Sequence, residues 1–160
     1  MTVYRISNEA FKNDISGNGA AINGSRWNSS GIRLLYTSEH ISLSILESLV
    51  HLQRNYIPAS QYLLHIEMPT ADNIPEISLK KIKQGWTKEI EYTQWIGDQF
   101  IKSNNAVVLK VPSAIVPQEH NYLFNPQHIE FERVKIIMTE LLELDKRLLL
   151  IDADKQYGEE

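Results

Sequence analysis

The sequence contains no cysteine among its 160 residues. This absence excludes a disulfide framework, a thiolate nucleophile and a zinc site built from thiolates. No run of apolar residues approaches the roughly 20 residues that a membrane-spanning helix needs. The N-terminal stretch "MTVYRISNEAF" also lacks the basic segment and apolar run of a secretory signal. We therefore expect a soluble cytoplasmic protein without a membrane-spanning segment.

Excess positive charge is absent as well. The chain has 16 lysines and arginines against 20 acidic residues, for a net charge of −4. Non-specific binding of nucleic acid depends on clustered lysine and arginine, so direct binding of long polyanions is not expected. One or two arginines could still hold a small phosphate-containing ligand.

The local patterns predict one mixed α+β domain over residues 1–150 and a frayed acidic tail over 151–160. Predicted strands are "TVYRI", "IRLLYT", "QYLLHIEMP" and the β-prone "NAVVLKVPSAIVP", whose prolines favour a sheet edge. Residues 132–145 fit a strand or a helix, and the alternation of apolar residues there favours a strand. We expect "EHNYLFNPQH" to be a loop. The long stretch 13–32, rich in Gly, Asn and Ser, is predicted to be an ordered functional loop.

Two helices are predicted. The first begins at Glu39 with Ser38 as its N-cap. Its apolar residues cover an arc of roughly 200°, which predicts burial on more than one side. Glu47 lies at the border of that arc, beside His51 and Arg54. The second helix is "TKEIEYTQWIGDQFIKS", with Ile90, Trp95, Ile96 and Phe100 as its apolar markers.

Several common site patterns are missing. The glycines at 17, 19 and 24 lack dinucleotide-fingerprint spacing, and no serine has the G-x-S-x-G context of a hydrolase. The histidines do not occur at H-E-x-x-H spacing, and His40 and His51 share the first predicted helix but not a face. We therefore expect no metal site.

Four separated segments together resemble the RES family of bacterial toxins. They are "VYRI", "GAAINGSRWNSSG", "YTSEHISLSILESLVHL" and "VPSAIVPQEHNYLFNP", with "IGDQF" between the last two. Their order and spacing agree with the family as well as their residues do. The resemblance implies a fold similar to the ADP-ribosyltransferases, with central β-sheets and flanking helices. It also implies an activity that consumes NAD+ as substrate, without a cofactor.

The resemblance also assigns roles to individual residues. Arg5 and Arg26 would bind the pyrophosphate of NAD+ or groups beside it, and Tyr36 would pack on its nicotinamide end. Glu47 would be the catalytic carboxylate, and Ser113 would line the pocket. The partners implied are an Xre-like antitoxin that blocks the site and a second copy of the chain in a homodimer.

These residue types suit that chemistry. Cleavage of the bond between nicotinamide and ribose develops positive charge on the sugar, as in glycoside hydrolysis, and a fixed carboxylate stabilises it. The planar guanidinium of an arginine matches a diphosphate. Alternatives remain open: a transferase that ADP-ribosylates a protein, a non-catalytic module that binds a nucleotide or a partner, and a structural helix-edge role for Glu47.

Overall fold

The structure, a computed structural model, describes residues 1–51, 60–69 and 73–148. These residues form one six-stranded sheet and three α-helices, which confirms the predicted α+β class. The strands are β1 (Thr2–Asn8), β2 (Leu35–Ser38), β3 (Gln61–Glu67), β4 (Val108–Pro112), β5 (His120–Phe124) and β6 (Lys135–Leu142). The helices are α1 (Asn18–Asn23), α2 (Ile41–His51) and α3 (Ile90–Ser103). Short 3₁₀ helices lie at Glu9–Phe11, Trp86–Lys88, Ile129–Arg133 and Lys146–Leu148.

The strand order is β4-β5-β2-β1-β3-β6, and every neighbouring pair is antiparallel. Strands β4 and β6 therefore form the two edges. The prediction of an edge position for the proline-containing strand is confirmed, as is the prediction of a strand near the C-terminal end. No helix in the described ranges is long and apolar enough to cross a membrane.

Each face of the sheet carries its own apolar cluster. Strand residues alternate between faces, so the paired Leu35 and Phe124 lie on one face while the paired Tyr36 and Leu123 lie on the other. The first cluster is centred on Val3, Leu35, Leu64, Ile66, Val108 and Phe124. The second is centred on Trp27, Leu34, Trp86, Phe100, Leu109, Val111 and Leu123. Both faces of the sheet thus carry apolar packing.

The sheet opens between its two middle strands. Strand β1 pairs with β3 at seven positions, but its register with β2 contains only the pair Tyr4 and Ser38. Beyond that pair, a side chain links the two strands in place of backbone pairing: Arg5 Nη1 donates to the backbone oxygen of Tyr36 at 3.3 Å. This opening places the side chains of β1 and β2 around a shared space.

The segment "EHNYLFNPQH" was predicted to be a loop, and this prediction is wrong because it contains β5. Asn121, Tyr122, Leu123 and Phe124 are all buried, since both faces of this strand are covered. A strand buried on both faces lacks the alternation of polar and apolar residues that would reveal it, and its polar flanks resemble loop sequence.

The predicted start of the first helix is also corrected. Ser38 is the last residue of β2, and its hydroxyl donates to Asn121 Oδ1 at 2.8 Å rather than capping a helix. Helix α2 begins at Ile41, so His40 precedes it. Arg54, the predicted neighbour of Glu47, and the tail 151–160 lie outside the described residues.

A smaller part of each helix is buried than the sequence predicts. In α2 only Leu43 and Ser44 are buried, while Leu46 and Val50 are exposed. In α3, Phe100 is buried as expected. Two of the predicted markers of α3, Ile90 and Trp95, instead face solvent. Each helix therefore packs along one stripe only, and an apolar pattern alone overstates how much of a helix is covered.

Candidate active site

The opening between β1 and β2 forms a cavity of about 960 Å³. This volume is at the upper end of the range of roughly 300–1,000 Å³ that is typical for small-molecule sites. Its wall includes β1, the Glu9–Phe11 turn, part of α1, the end of β2 and one face of α2. Among the predicted site residues, Arg5, Tyr36 and Glu47 line it.

Glu47 is held on the cavity wall by two hydrogen bonds to the same oxygen. Its Oε1 accepts from Ser113 Oγ at 2.8 Å and from Asn121 Nδ2 at 2.6 Å. Asn121 is itself oriented, because its Oδ1 accepts from Ser38 Oγ at 2.8 Å. Within the described residues, no donor is bonded to the second oxygen, Oε2. The carboxylate thus has one fixed oxygen and one available for a ligand in the cavity.

Ser113 does not line the cavity, which corrects the expectation that it would. The residue is fully buried behind Glu47. Its Oγ accepts from the backbone N–H groups of Ile115 at 3.0 Å and Val116 at 3.1 Å. Because the oxygen accepts these two bonds, the hydroxyl proton is directed to Glu47. Ser113 therefore positions the carboxylate and does not contact the contents of the cavity.

Arg5 brings a partly buried positive charge to the same cavity. Burial lowers the pKa of Arg5 from its ordinary value, and the negative charge of Asp14 offsets this only in part. Its Nε is buried and has no hydrogen-bond partner in the described part of the chain. An arginine remains protonated even in such surroundings, and a buried donor without a partner is costly. An anion in the cavity would balance this charge.

Tyr36 presents its ring to the cavity but not its hydroxyl. The hydroxyl accepts from the backbone N–H of Trp27 at 2.9 Å and donates to Asn28 Oδ1 at 2.7 Å. Burial raises the pKa of Tyr36 well above its ordinary value, so the phenol stays neutral. With both hydrogen-bonding functions of the hydroxyl occupied, the residue suits ring packing and not proton transfer.

Arg26 points away from the cavity. Its Nη1 donates to the backbone oxygen of Thr87 at 3.0 Å, and its guanidinium lies 6.0 Å from the ring centroid of Trp86. Its neighbour Ser25 does line the cavity. The structure therefore brings Arg5, Tyr36 and Glu47 together at the cavity and leaves the side chain of Arg26 outside it. The hydrogen bond from Arg26 to Thr87 would have to break before Arg26 could enter the cavity.

The loop that contains Arg26 is held together by Asn28, which is completely buried. Its Nδ2 donates to the backbone oxygens of Ala20 and Ile32, both at 2.9 Å. Its Oδ1 accepts from Tyr36. A single amide thus joins α1, the loop and β2, and it fixes the position of the Tyr36 ring. Sequence analysis missed this role, because an asparagine among Gly and Ser is typical of any turn.

Helix α3 anchors the same loop from the other side. Asp98 accepts from the backbone N–H of Ser29 at 3.0 Å and from its hydroxyl at 2.6 Å. A side chain at Gly97 would overlap the backbone oxygen of Trp27, so only glycine admits the loop at this distance. The "IGDQF" segment, one of the stretches that carry the resemblance, therefore has a structural role in holding "RWNS".

Comparison with known proteins identifies the family of this chain. The RES domain model matches residues 2–146. This chain belongs to the RES domain family. It is 36% identical over 138 residues to "Toxin Res" of Pseudomonas putida, which covers 85% of this chain and 92% of the relative. It is 35% identical over 147 residues to "Prs ADP-ribosylating toxin" of Sphingobium sp., covering 82% and 86%.

A solved structure has the same fold as this chain. It is a chain of the M. tuberculosis MbcT–MbcA toxin–antitoxin complex, with a TM-score of 0.73. The similarity covers 88% of this chain and 83% of that one. At 16% identity, it establishes the fold alone. The match of the RES domain model confirms the family resemblance that the sequence segments carry.

Proposed function

We propose that this RES domain chain is a toxin enzyme that cleaves the bond between nicotinamide and ribose in NAD+ and thereby depletes the cell of NAD+. The observation that carries the proposal is the arrangement of Glu47, whose Oε1 is fixed by Ser113 and Asn121 while Oε2 remains available in a cavity that also holds Arg5. The curated relatives named as toxins support the biological role.

Glu47 would act on the sugar. As the bond from C1′ to the pyridinium nitrogen breaks, the electron pair leaves with nicotinamide, which departs as a neutral molecule. The ribose acquires oxocarbenium character, and the negative charge at Oε2 stabilises it or accepts a hydrogen bond from a ribose hydroxyl. A donor pair at Oε1 fixes the carboxylate in place before substrate arrives, so little reorganisation is needed during the reaction.

Arg5 would bind the diphosphate. Its charge at the cavity wall favours an anion, and a guanidinium can donate two parallel hydrogen bonds to phosphate oxygens. Tyr36 would provide a flat apolar surface for the nicotinamide ring. Arg26 would join the phosphates only after its bond to Thr87 breaks, so we assign the main phosphate contact to Arg5.

The acceptor of the ADP-ribosyl group defines two versions of this activity: release of a small-molecule product, when the acceptor is water or inorganic phosphate, and transfer to a protein. With water, which loses a proton in the step, the products are nicotinamide and ADP-ribose; with inorganic phosphate, the product is a ribosyl phosphate. The relative named "Prs ADP-ribosylating toxin" favours a second version, transfer to a protein side chain. Incubation with NAD+ labelled in its adenylate part, followed by denaturing electrophoresis of a cell extract, separates free from protein-bound product.

We also propose that an antitoxin covers the cavity and that the toxin acts in the cytoplasm. Phe11 and Ile22 line the cavity and remain 53% and 72% exposed, as expected of apolar residues that a partner protein would cover. The structural neighbour was crystallised within a toxin–antitoxin complex. An Xre-like antitoxin and a toxin homodimer remain part of this proposal. The sequence of the co-expressed antitoxin tests the first, and the mass of the purified complex tests the second.

The direct test uses the purified chain without antitoxin. Incubation with NAD+ should release nicotinamide, detected by liquid chromatography, and brief induced expression should lower cellular NAD+. The control is Glu47→Ala, which should remain folded by circular dichroism and release none. NAD+ that stays intact in the presence of the folded wild-type chain would reject the proposal.

A further inference from the structure

Two Glu-His dipeptides, at positions 39–40 and 119–120, lie together outside the cavity. They come from the residues just before α2 and from the start of β5. Their backbones are joined, because the Glu39 N–H donates to the His120 oxygen at 3.1 Å. The Glu39 side chain forms a second hydrogen bond between the two dipeptides: its Oε1 accepts from the backbone N–H of His120 at 2.7 Å. The fold thus holds two carboxylates and two imidazoles in one small region.

Three of these side chains have the spacing of metal ligands. His40 Nδ1 lies 3.5 Å from Glu119 Oε2 and 3.8 Å from Glu39 Oε1. Each of the three residues offers one possible ligand atom, and these atoms all lie within 4.8 Å of one another; the residues are Glu39, His40 and Glu119. Two ligands bound to tetrahedral zinc at about 2.0–2.1 Å are roughly 3.4 Å apart. The two separations from His40 Nδ1 are close to that value.

Glu119 provides a separate observation. Its Oε2 is buried and has no hydrogen-bond partner among the described residues, although it faces the His40 ring nitrogen. A buried carboxylate oxygen without a donor is unusual in a native structure and calls for a cation or another partner. A metal ion between the three side chains would supply that partner.

We propose that Glu39, His40 and Glu119 form a binding site for one divalent transition-metal ion, with zinc as the best-fitting example. Imidazole nitrogen and carboxylate oxygen are a usual donor set for zinc, and three protein ligands leave a position for water. The sequence predicted no metal site because these ligands follow no short-range motif. The fold brings them together from positions about 80 residues apart.

The position of this site connects it to Glu47. Glu39 and His40 directly precede α2, which carries Glu47, and Glu119 and His120 directly precede Asn121, which donates to Glu47. A metal ion here would tie the start of α2 to the start of β5. None of its three ligands lines the cavity, so the site would stabilise the arrangement around Glu47 without taking part in the reaction.

Calorimetric titration of untagged, chelator-stripped protein with zinc chloride tests the proposal. We expect one zinc per chain and a zinc-dependent rise in Tm. His40→Ala and Glu119→Gln should each weaken zinc binding at least about tenfold. His40 is mostly exposed, with 58% of its side chain accessible, so His40→Ala should remain folded.

The matched control is His65→Ala, which removes the imidazole of the His65–Glu140 pair elsewhere on the surface. This variant should bind zinc as the wild type does. The proposal is overturned if the wild type binds no zinc at millimolar concentration. It is equally overturned if His40→Ala and Glu119→Gln bind as tightly as the wild type, or if His65→Ala weakens binding as much as they do.

Discussion

Ser113 and Glu47 are 66 positions apart in the chain, yet the serine hydroxyl donates to the glutamate Oε1 at 2.8 Å. Ser113 follows β4 at the sheet edge, and Glu47 lies in the middle of α2. The serine therefore fixes the orientation of the carboxylate from behind, while the other carboxylate oxygen is left for the cavity. This relationship makes Ser113 a positioning residue and separates its role from substrate binding.

Removal of either donor to Glu47 should lower the rate more than the affinity. We expect Asn121→Ala to reduce kcat about tenfold to a hundredfold with little change in the KM for NAD+, because the carboxylate loses its fixed orientation. Steady-state nicotinamide release measures both constants. Ser103→Ala, in the last turn of α3, is the control and should leave them unchanged. A rise in KM at constant kcat would show that Asn121 binds substrate instead.

The two arginines should differ in effect. Arg5→Ala should raise the KM for NAD+ at least about tenfold, because it removes the charge that faces the cavity. Arg26→Ala should change KM less, since the Arg26 guanidinium is bonded to Thr87 outside the cavity. Titration of both variants with ADP-ribose compares the effects of the two substitutions on the dissociation constant, without the chemical step. A larger effect of Arg26→Ala in both measurements would contradict our assignment of the phosphate contact to Arg5.

The close contact between α3 and the Trp27 segment should make Gly97 intolerant of a side chain. Gly97→Ala should destabilise the fold by about 1–3 kcal/mol or more, because the new Cβ would overlap the Trp27 carbonyl. Gly19→Ala is the matched control in α1, where a Cβ meets nothing within 4 Å. The control should be neutral or slightly stabilising. Urea unfolding compares the two variants, and equal stabilities would contradict the proposed packing.

The buried phenol of Tyr36 predicts a dependence of stability on pH. Burial raises the pKa of Tyr36 above its ordinary value of 10.0, so the folded state holds the phenolic proton more tightly than the unfolded state does. The resulting stabilisation is fully present below pH 10 and is lost as the pH rises from there towards the folded-state pKa. Tyr36→Phe should be less stable at neutral pH, because Trp27 and Asn28 lose a partner, but its stability should fall less between pH 9 and 11. Unfolding by urea at several pH values measures this, and parallel pH curves would argue against a buried phenol.

The sequence predicted the class of fold and several elements because their signals are local. Alternation identified β1 and β6, and the prolines placed β4 at an edge. Strand β5 was missed because burial on both faces removes alternation, which depends on tertiary packing and not on local sequence. The exposure of Trp95 was also not predicted, because a helical pattern does not reveal which apolar residues pack against the rest of the protein.

The candidate site was predicted in part for a related reason. The motif segments pointed to Glu47, Tyr36 and Arg5, which the fold brings to one cavity. They did not indicate the direction of the Arg26 side chain or the burial of Ser113. Asn121 was missed altogether, because its role depends on contacts to Ser38 and Glu47 that are far apart in sequence.

The central claim is that the negative charge of Glu47 is needed for bond cleavage. Glu47→Gln tests it most directly, because the amide oxygen can still accept from Ser113 and Asn121 while the charge at the other position is gone. Nicotinamide release and NAD+ binding should be measured on the same folded preparation. We predict that binding stays within about threefold of the wild type and that kcat falls at least about a hundredfold. Retention of the wild-type kcat by Glu47→Gln would contradict this account of the chemistry.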